Sequence, residues 1–180
     1  MTKRKIQSIF YLIIGICILV IVLSFTMFDF IEVDTATNWT MKYFALPILL
    51  FMTPSCYFIY IRFIQQYERK KYTSNIRTQF RTIFRILVLT LGMTGIFIAS
   101  TLSIIILTNA IMGDGRKINL NATVVDYYTS SSGKIKHYIK IKDKQLDRII
   151  ELKVKESYKV GETFVKTMKI GKWVLIYSEK

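Results

Sequence analysis

The chain has one histidine, His137, and two cysteines, Cys17 and Cys56, so the residue types that most often hold metals or attack substrates are scarce. A zinc-type centre needs several nitrogen, sulfur or carboxylate ligands that converge. Both cysteines lie in long apolar stretches, far along the chain from His137, and no metal set is expected. Ser130, Ser131 or Ser132 with His137 and Asp126 would supply a nucleophile, a base and an orienting carboxylate on paper. Serines beside Gly133 are ordinary hairpin residues, however, and His137 shares the alternation of Ile135, Ile139 and Ile141, as a half-buried strand residue would. The glycines form neither a phosphate-binding loop nor a dinucleotide fingerprint. The expectation is a non-enzyme with no catalytic residues, no cofactor and no metal.

What must position any function is a set of three uncharged apolar stretches, Ile6 to Phe28, Tyr43 to Ile61 and Ile86 to Gly113. Each is long enough for a helix to cross a hydrocarbon core, which takes about 20 residues. Spans are expected over about 6–28, 43–64 and 84–112, with a basic loop at about 65–83, making 1–113 a three-helix transmembrane region. None of the three stretches holds the ionisable side chain that a proton-coupled transporter or an intramembrane protease would carry. Hydroxyls at Thr90, Thr94, Ser100, Thr101 and Ser103 leave a small oligomeric channel as one alternative.

The net charge of +14 resembles a nucleic-acid signature until it is located. Lys3, Arg4 and Lys5 precede the first stretch, and Arg62, Arg69, Lys70, Lys71, Arg77, Arg81 and Arg85 separate the second from the third; the first loop carries Asp29, Glu32 and Asp34. By the positive-inside rule the amino terminus and the 62–85 loop are cytoplasmic, and the first loop and the tail are outside. The first stretch is read as an uncleaved anchor, because it is long for a signal peptide and no small-residue cleavage site follows it closely. No nucleic-acid partner is expected.

Within the helices, Pro54 near mid-depth removes a donor and clashes with the preceding turn, so a kink is expected there. Gly92, Gly95, Ala99 and Ser103 place small residues on one stripe, a helix-packing face for another span of this chain or for a second copy in a homo-oligomer. Arg77, Arg81 and Arg85 recur at helical spacing, suited to contact with anionic lipid.

After Gly113 the period becomes alternating, and 114–180 is read as a small extracytoplasmic domain of about five antiparallel strands, an OB-like or SH3-like barrel. Ala122, Val124 and Asp126 form one face of the first strand. Ile135, His137, Ile139 and Ile141 oppose Lys134, Lys136, Tyr138, Lys140 and Lys142 in the second, while Ile150, Leu152 and Val154 mark the third. A turn at Tyr158 to Glu162 leads into Thr163 to Met168, and the last strand is expected at Trp173 to Tyr177. With 15 basic against 8 acidic residues, the tail is basic. Lys134, Lys136, Lys140 and Lys142 form its candidate interaction patch. The absence of cysteine from the tail means that no disulfide supports it, which suits a bacterial envelope protein.

The run Thr123-Val124-Val125-Asp126, the turn at Gly133 before the Tyr138 strand, and Tyr158-Lys159-Val160-Gly161-Glu162 resemble an uncharacterised bacterial family in which a small β-domain is attached to transmembrane helices. More distantly the layout is similar to NfeD-type membrane proteins, which end in an oligonucleotide-binding-like barrel. The resemblance covers about the last 60 residues and implies no catalytic residue. The expectation is therefore a multi-pass protein of the bacterial cytoplasmic membrane with its amino terminus inside. Its partners would be the lipid bilayer and a membrane or envelope protein. It would act as an accessory or scaffold subunit, or alternatively as an immunity protein against an exported or membrane-active toxin.

Overall fold

The computed structural model describes residues 3–65, 76–130, 136–143, 148–154 and 156–179. Three helices, α1 (Lys3–Thr26), α2 (Val33–Ile59) and α3 (Ile76–Ile111), are accompanied by an antiparallel six-stranded sheet that curls into a half-barrel. All three helices are long and apolar enough to cross a membrane. Contacts divide the chain into two units, one of Met1–Val22 with Trp39–Ser103, the other of Leu23–Asn38 with Ile104–Lys180.

In the first unit, Met52 and Cys56 of α2 meet Met93 of α3, and Phe10 and Ile14 of α1 pack against them with Ile48, Leu89 and Phe97. Most other apolar side chains of the helices face outward: Tyr11, Leu46, Leu50 and Phe51 are each exposed by more than half. α2 runs unbroken through Pro47 and Pro54. Proline at 54 lacks the amide that would bond the Leu50 carbonyl. The hydroxyls of Thr53 and Ser55 donate to the carbonyls on either side, Leu49 at 2.8 Å and Phe51 at 2.8 Å. A π-helical turn, Tyr60–Gln65, ends this element.

The second unit holds the sheet, in the order β1-β6-β5-β2-β3-β4. Five strands come from the tail, as the alternation predicts: β2 (Arg116–Ser130), β3 (Lys136–Asp143), β4 (Arg148–Val154), β5 (Thr163–Ile170) and β6 (Ile176–Glu179). The sixth, β1 (Phe28–Ile31), comes from between α1 and α2 and pairs antiparallel with β6. Leu120, Ala122, Val124, Ile139, Ile141, Ile150, Leu152, Phe164, Met168 and Ile176 form the core, closed by Phe30 from β1. The two edges, β1 and β4, approach each other without pairing.

Two features depart from the expected pattern. A bulge at Val125 shifts the register between Val124 and Asp126. The extra residue reverses which face follows it, so Tyr127 packs against the core while Asp126, expected inside, is exposed. The last strand begins later than expected. Trp173 and Val174 form an exposed turn, and Leu175, Ile176 and Tyr177 are buried in succession.

Candidate functional site

The bulge at Val125 brings Tyr128 to the outer face of the half-barrel, opposite Tyr138 of β3. Their rings stack with centroids 5.2 Å apart and planes 10° apart. Lys140, two residues further along β3, places its ammonium 5.7 Å from the Tyr128 centroid, an attractive cation–π geometry. It also lies 3.5 Å from the Asp126 carboxylate, on the residue that faces it in β2. Glu151 of β4 is the register partner of Lys140 on its other side and accepts a short hydrogen bond from the Tyr128 hydroxyl. Three strands thus contribute to one aromatic and charged network.

The hydrogen bond to the Glu151 carboxylate, which stabilises the phenol over the phenolate, pushes Tyr128 up to about 12. Tyr128 therefore remains a hydrogen-bond donor at neutral pH, unsuited to act as a base or nucleophile. Flat stacked rings ringed by paired charges present a rigid surface of the kind enriched at interfaces.

Opposite, on the inner face, the hydroxyl oxygen of Tyr127 lies 2.6 Å from Nδ1 of His137, with the rings stacked 6.0 Å apart. His137 is half-buried, as its alternation predicts. Asp126 faces outward and His137 inward, so the structure does not assemble the Asp126–His137 pair written on paper; Ser131 and Ser132 lie outside the described residues.

Of the candidate lysine patch, Lys140 is matched by Asp126 and flanked by Glu151. Lys142 is exposed on the same strand, while Lys134 and the side chain of Lys136 lie outside the described residues. Lys140 therefore contributes to a balanced cluster and not to a purely basic one. Arg81 is exposed and Arg85 half-buried on α3; the side chain of Arg77 is outside the described residues.

The small-residue stripe on α3 divides. Ser103 is fully buried and Ala99 partly so. Gly92 and Gly95 are exposed, with nothing within 4 Å of where a β-carbon would stand. The buried side of this helix instead carries Thr90, Met93 and Thr94. Helical hydroxyls commonly bond the carbonyl one turn back, and Thr101 does so to Phe97 at 2.9 Å. Among the described residues the buried hydroxyls of Tyr60, Thr94 and Ser100 have no hydrogen-bond partner, and that of Thr90 lies beside the Cys56 thiol.

Sequence reasoning missed two polar residues that hold the sheet in place. Asn109, fully buried in the last turns of α3, donates from Nδ2 to the Leu175 carbonyl at 3.0 Å. Its Oδ1 accepts from the backbone of Trp173 at 2.9 Å and of Leu175 at 3.4 Å. Glu32, 2% exposed, donates its own N–H to the Ile176 carbonyl at 3.0 Å and accepts the Ile176 N–H on Oε2 at 3.3 Å. A buried asparagine at the end of an apolar run was the available signal for the first; Glu32 gave none beyond its charge.

Compared with known family models, curated proteins and solved structures, the chain matches none.

Proposed function

We propose that this protein is a non-catalytic, multi-pass protein of the bacterial cytoplasmic membrane that presents its half-barrel outside as a docking module for another envelope protein. The observation that carries this reading is the pairing of β1 with β6. Strand β1 follows the first helix and β6 lies beyond the third, and their pairing supports a topology in which the segment between α1 and α2 and the tail share one side of the membrane. That is the arrangement the charge distribution calls for, with the basic residues of the first turn of α1 and those from Arg62 to Arg85 on the other side. The module is of the size of an oligonucleotide-binding or SH3-like barrel. Its outer network of Tyr128, Tyr138, Lys140 and Glu151 offers stacked aromatic area at little conformational cost. The partner-binding role rests on that surface.

The test is to crosslink the tagged full-length protein in its native membrane and identify what co-purifies by mass spectrometry. One stoichiometric protein, lost on Tyr128→Ala or Tyr138→Ala, supports the docking module. The identity of that protein separates a scaffold role from neutralisation of a toxin. Self-crosslinks alone count against it.

A second reading, a small oligomeric channel, draws on the unpartnered hydroxyls of Tyr60, Thr94 and Ser100. Buried polar groups without a protein partner suit a polar path, where water satisfies them. Solute flux or conductance in liposomes tests it.

A further inference from the structure

The turn between β5 and β6, residues 171–174, is fastened to α3 through Lys172 and Trp173 and closed on itself by Val174. The N–H of Lys172 donates to the Asn109 carbonyl at 3.0 Å, that of Trp173 to Asn109 Oδ1 at 2.9 Å, and that of Val174 to the Gly171 carbonyl at 3.1 Å. The Trp173 indole N–H donates to Thr108 Oγ1 at 3.2 Å. Yet the side chains that this scaffold displays are apolar and open, with Trp173 45% and Val174 51% exposed.

Val174 adopts φ of 60°, the one positive φ at a non-glycine position among the described residues. A β-branched residue is strained there, and glycine or asparagine would turn the chain without that strain. Turn geometry alone therefore does not account for valine. An outward apolar side chain held in a strained backbone marks a site where function, and not turn geometry, sets the residue.

The position along α3 identifies the contact. At about 1.5 Å per residue, Thr108 stands roughly 35 Å along the axis from Arg85, against a hydrocarbon thickness of about 30 Å. On the membrane-spanning reading proposed above, which this inference requires, Trp173 thus lies at the outer boundary between hydrocarbon and headgroups. That is the zone where tryptophan is enriched. Ile104, Thr108 and Ile111 share one stripe of α3 by their spacing, and Ile104 and Ile111 are 51% and 72% exposed. The indole therefore sits on a stripe whose other members also face outward. Its N–H is already satisfied by Thr108, which leaves an apolar ring to be covered. Lys172, exposed beside it, has the long stem and charged head that reach lipid phosphate from such a depth.

We infer that the turn Gly171-Lys172-Trp173-Val174 is an interfacial anchor: Trp173 and Val174 insert at the acyl–headgroup boundary of the outer leaflet, and Lys172 meets lipid phosphate. The half-barrel then touches the membrane through its own β5–β6 turn.

The test uses full-length protein carrying Trp39→Phe, which leaves Trp173 as the only tryptophan. The protein is reconstituted in vesicles of phosphatidylcholine and phosphatidylglycerol. Trp173 fluorescence is quenched with lipids brominated near the headgroup, with lipids brominated deep in the chain, and with aqueous acrylamide. Shallow bromolipid is expected to quench at least about twofold more than deep bromolipid, with little acrylamide access. Val174→Asn, which suits a positive φ and so keeps the fold, is expected to lower the bromolipid quenching and raise acrylamide access. Quenching by acrylamide alone, in protein that resists alkaline carbonate extraction, overturns the anchor and leaves the membrane reading standing. Extraction of the protein by carbonate overturns both.

Discussion

The side-chain amide of Asn109 occupies the place of a strand partner for Leu175: it donates to the Leu175 carbonyl at 3.0 Å and accepts the Leu175 N–H at 3.4 Å. Glu32 engages both backbone groups of the next residue, Ile176, through its own N–H and its carboxylate. β6 needs such help. It pairs with β5 over Lys169↔Tyr177 and Ile170↔Ile176, and its start would otherwise leave buried donors and acceptors unmatched.

Asn109→Ala is accordingly expected to destabilise the half-barrel by about 2–4 kcal/mol, since it removes the acceptor of the Trp173 and Leu175 N–H groups and leaves the Leu175 carbonyl with the Gly171 N–H alone. Asn109→Asp keeps an acceptor but sets a carboxylate oxygen against the Leu175 carbonyl, so it is not expected to rescue. Thermal unfolding in detergent, followed by proteolysis within residues 114–179, measures both. Native-like resistance of either variant would refute the clamp.

The glycines divide into those the fold requires and those it leaves open. A β-carbon at Gly171 would stand 2.1 Å from the Asn109 carbonyl oxygen, and one at Gly113 would stand 2.6 Å from Cα of Gly171. Gly171→Ala and Gly113→Ala are therefore expected to reduce folded yield sharply, because backbone must move. Gly95→Ala meets nothing within 4 Å. It is expected to stabilise the helix by roughly 0.5–1 kcal/mol through its better helix propensity. Thermal melts of the three variants, prepared in parallel, give the comparison; equal losses would contradict the geometry.

What the sequence made legible follows from how locally each feature is encoded. Ile139 and Ile141 against Lys140 and Lys142 declare the faces of β3 by strict alternation, and they lie as read. In β2 the same reasoning fails past Val125, because a one-residue bulge reverses parity and sends Asp126 outward. The phase break was visible, since Leu120, Ala122 and Val124 are out of step with Tyr127, but alternation alone does not say which side of a break faces the core. β1 escaped notice because it is four residues long and Phe28 merges with the first apolar run. The outer network of Tyr128, Tyr138 and Glu151 depends on that bulge and on cross-strand register, neither of which a single strand encodes. On α3, the spacing of Gly92 and Gly95 announces a stripe of small residues without saying what covers it, and here those two glycines are open while Ser103 is buried.

Tyr128 gives a pH signature. Its folded value of about 12 lies above the ordinary tyrosine value near 10 because the Glu151 carboxylate holds the phenol proton. A raised folded value means that the stabilisation is fully present below about pH 10 and is lost as the pH climbs from there toward about 12. Difference absorbance of tyrosinate between wild type and Tyr128→Phe isolates this group. The difference titration is expected to centre near 12 and to move down toward 10 in Glu151→Gln. A midpoint near 10 in the wild type would remove the Tyr128–Glu151 bond from the account.

The unpartnered hydroxyls of α3 separate a structural core from a polar path. Thr90 and Thr94 are each 7% exposed and accept or donate no hydrogen bond to an oxygen or nitrogen among the described residues, whereas Thr101, on the same helix, bonds the Phe97 carbonyl. Valine keeps the shape of threonine and removes the polar atom. If the hydroxyls are dry, Thr90→Val and Thr94→Val each relieve a desolvation cost and are expected to raise stability by about 1 kcal/mol. Thr101→Val is expected to be near neutral, since it loses a satisfied bond and gains a methyl group. If water fills a path along these side chains, the same two substitutions displace it, so stability does not rise and any flux through reconstituted protein falls. Denaturation in mild detergent and a liposome flux assay on the same preparations distinguish the cases. The docking-module reading calls for the first result, a gain at positions 90 and 94 with no flux to lose.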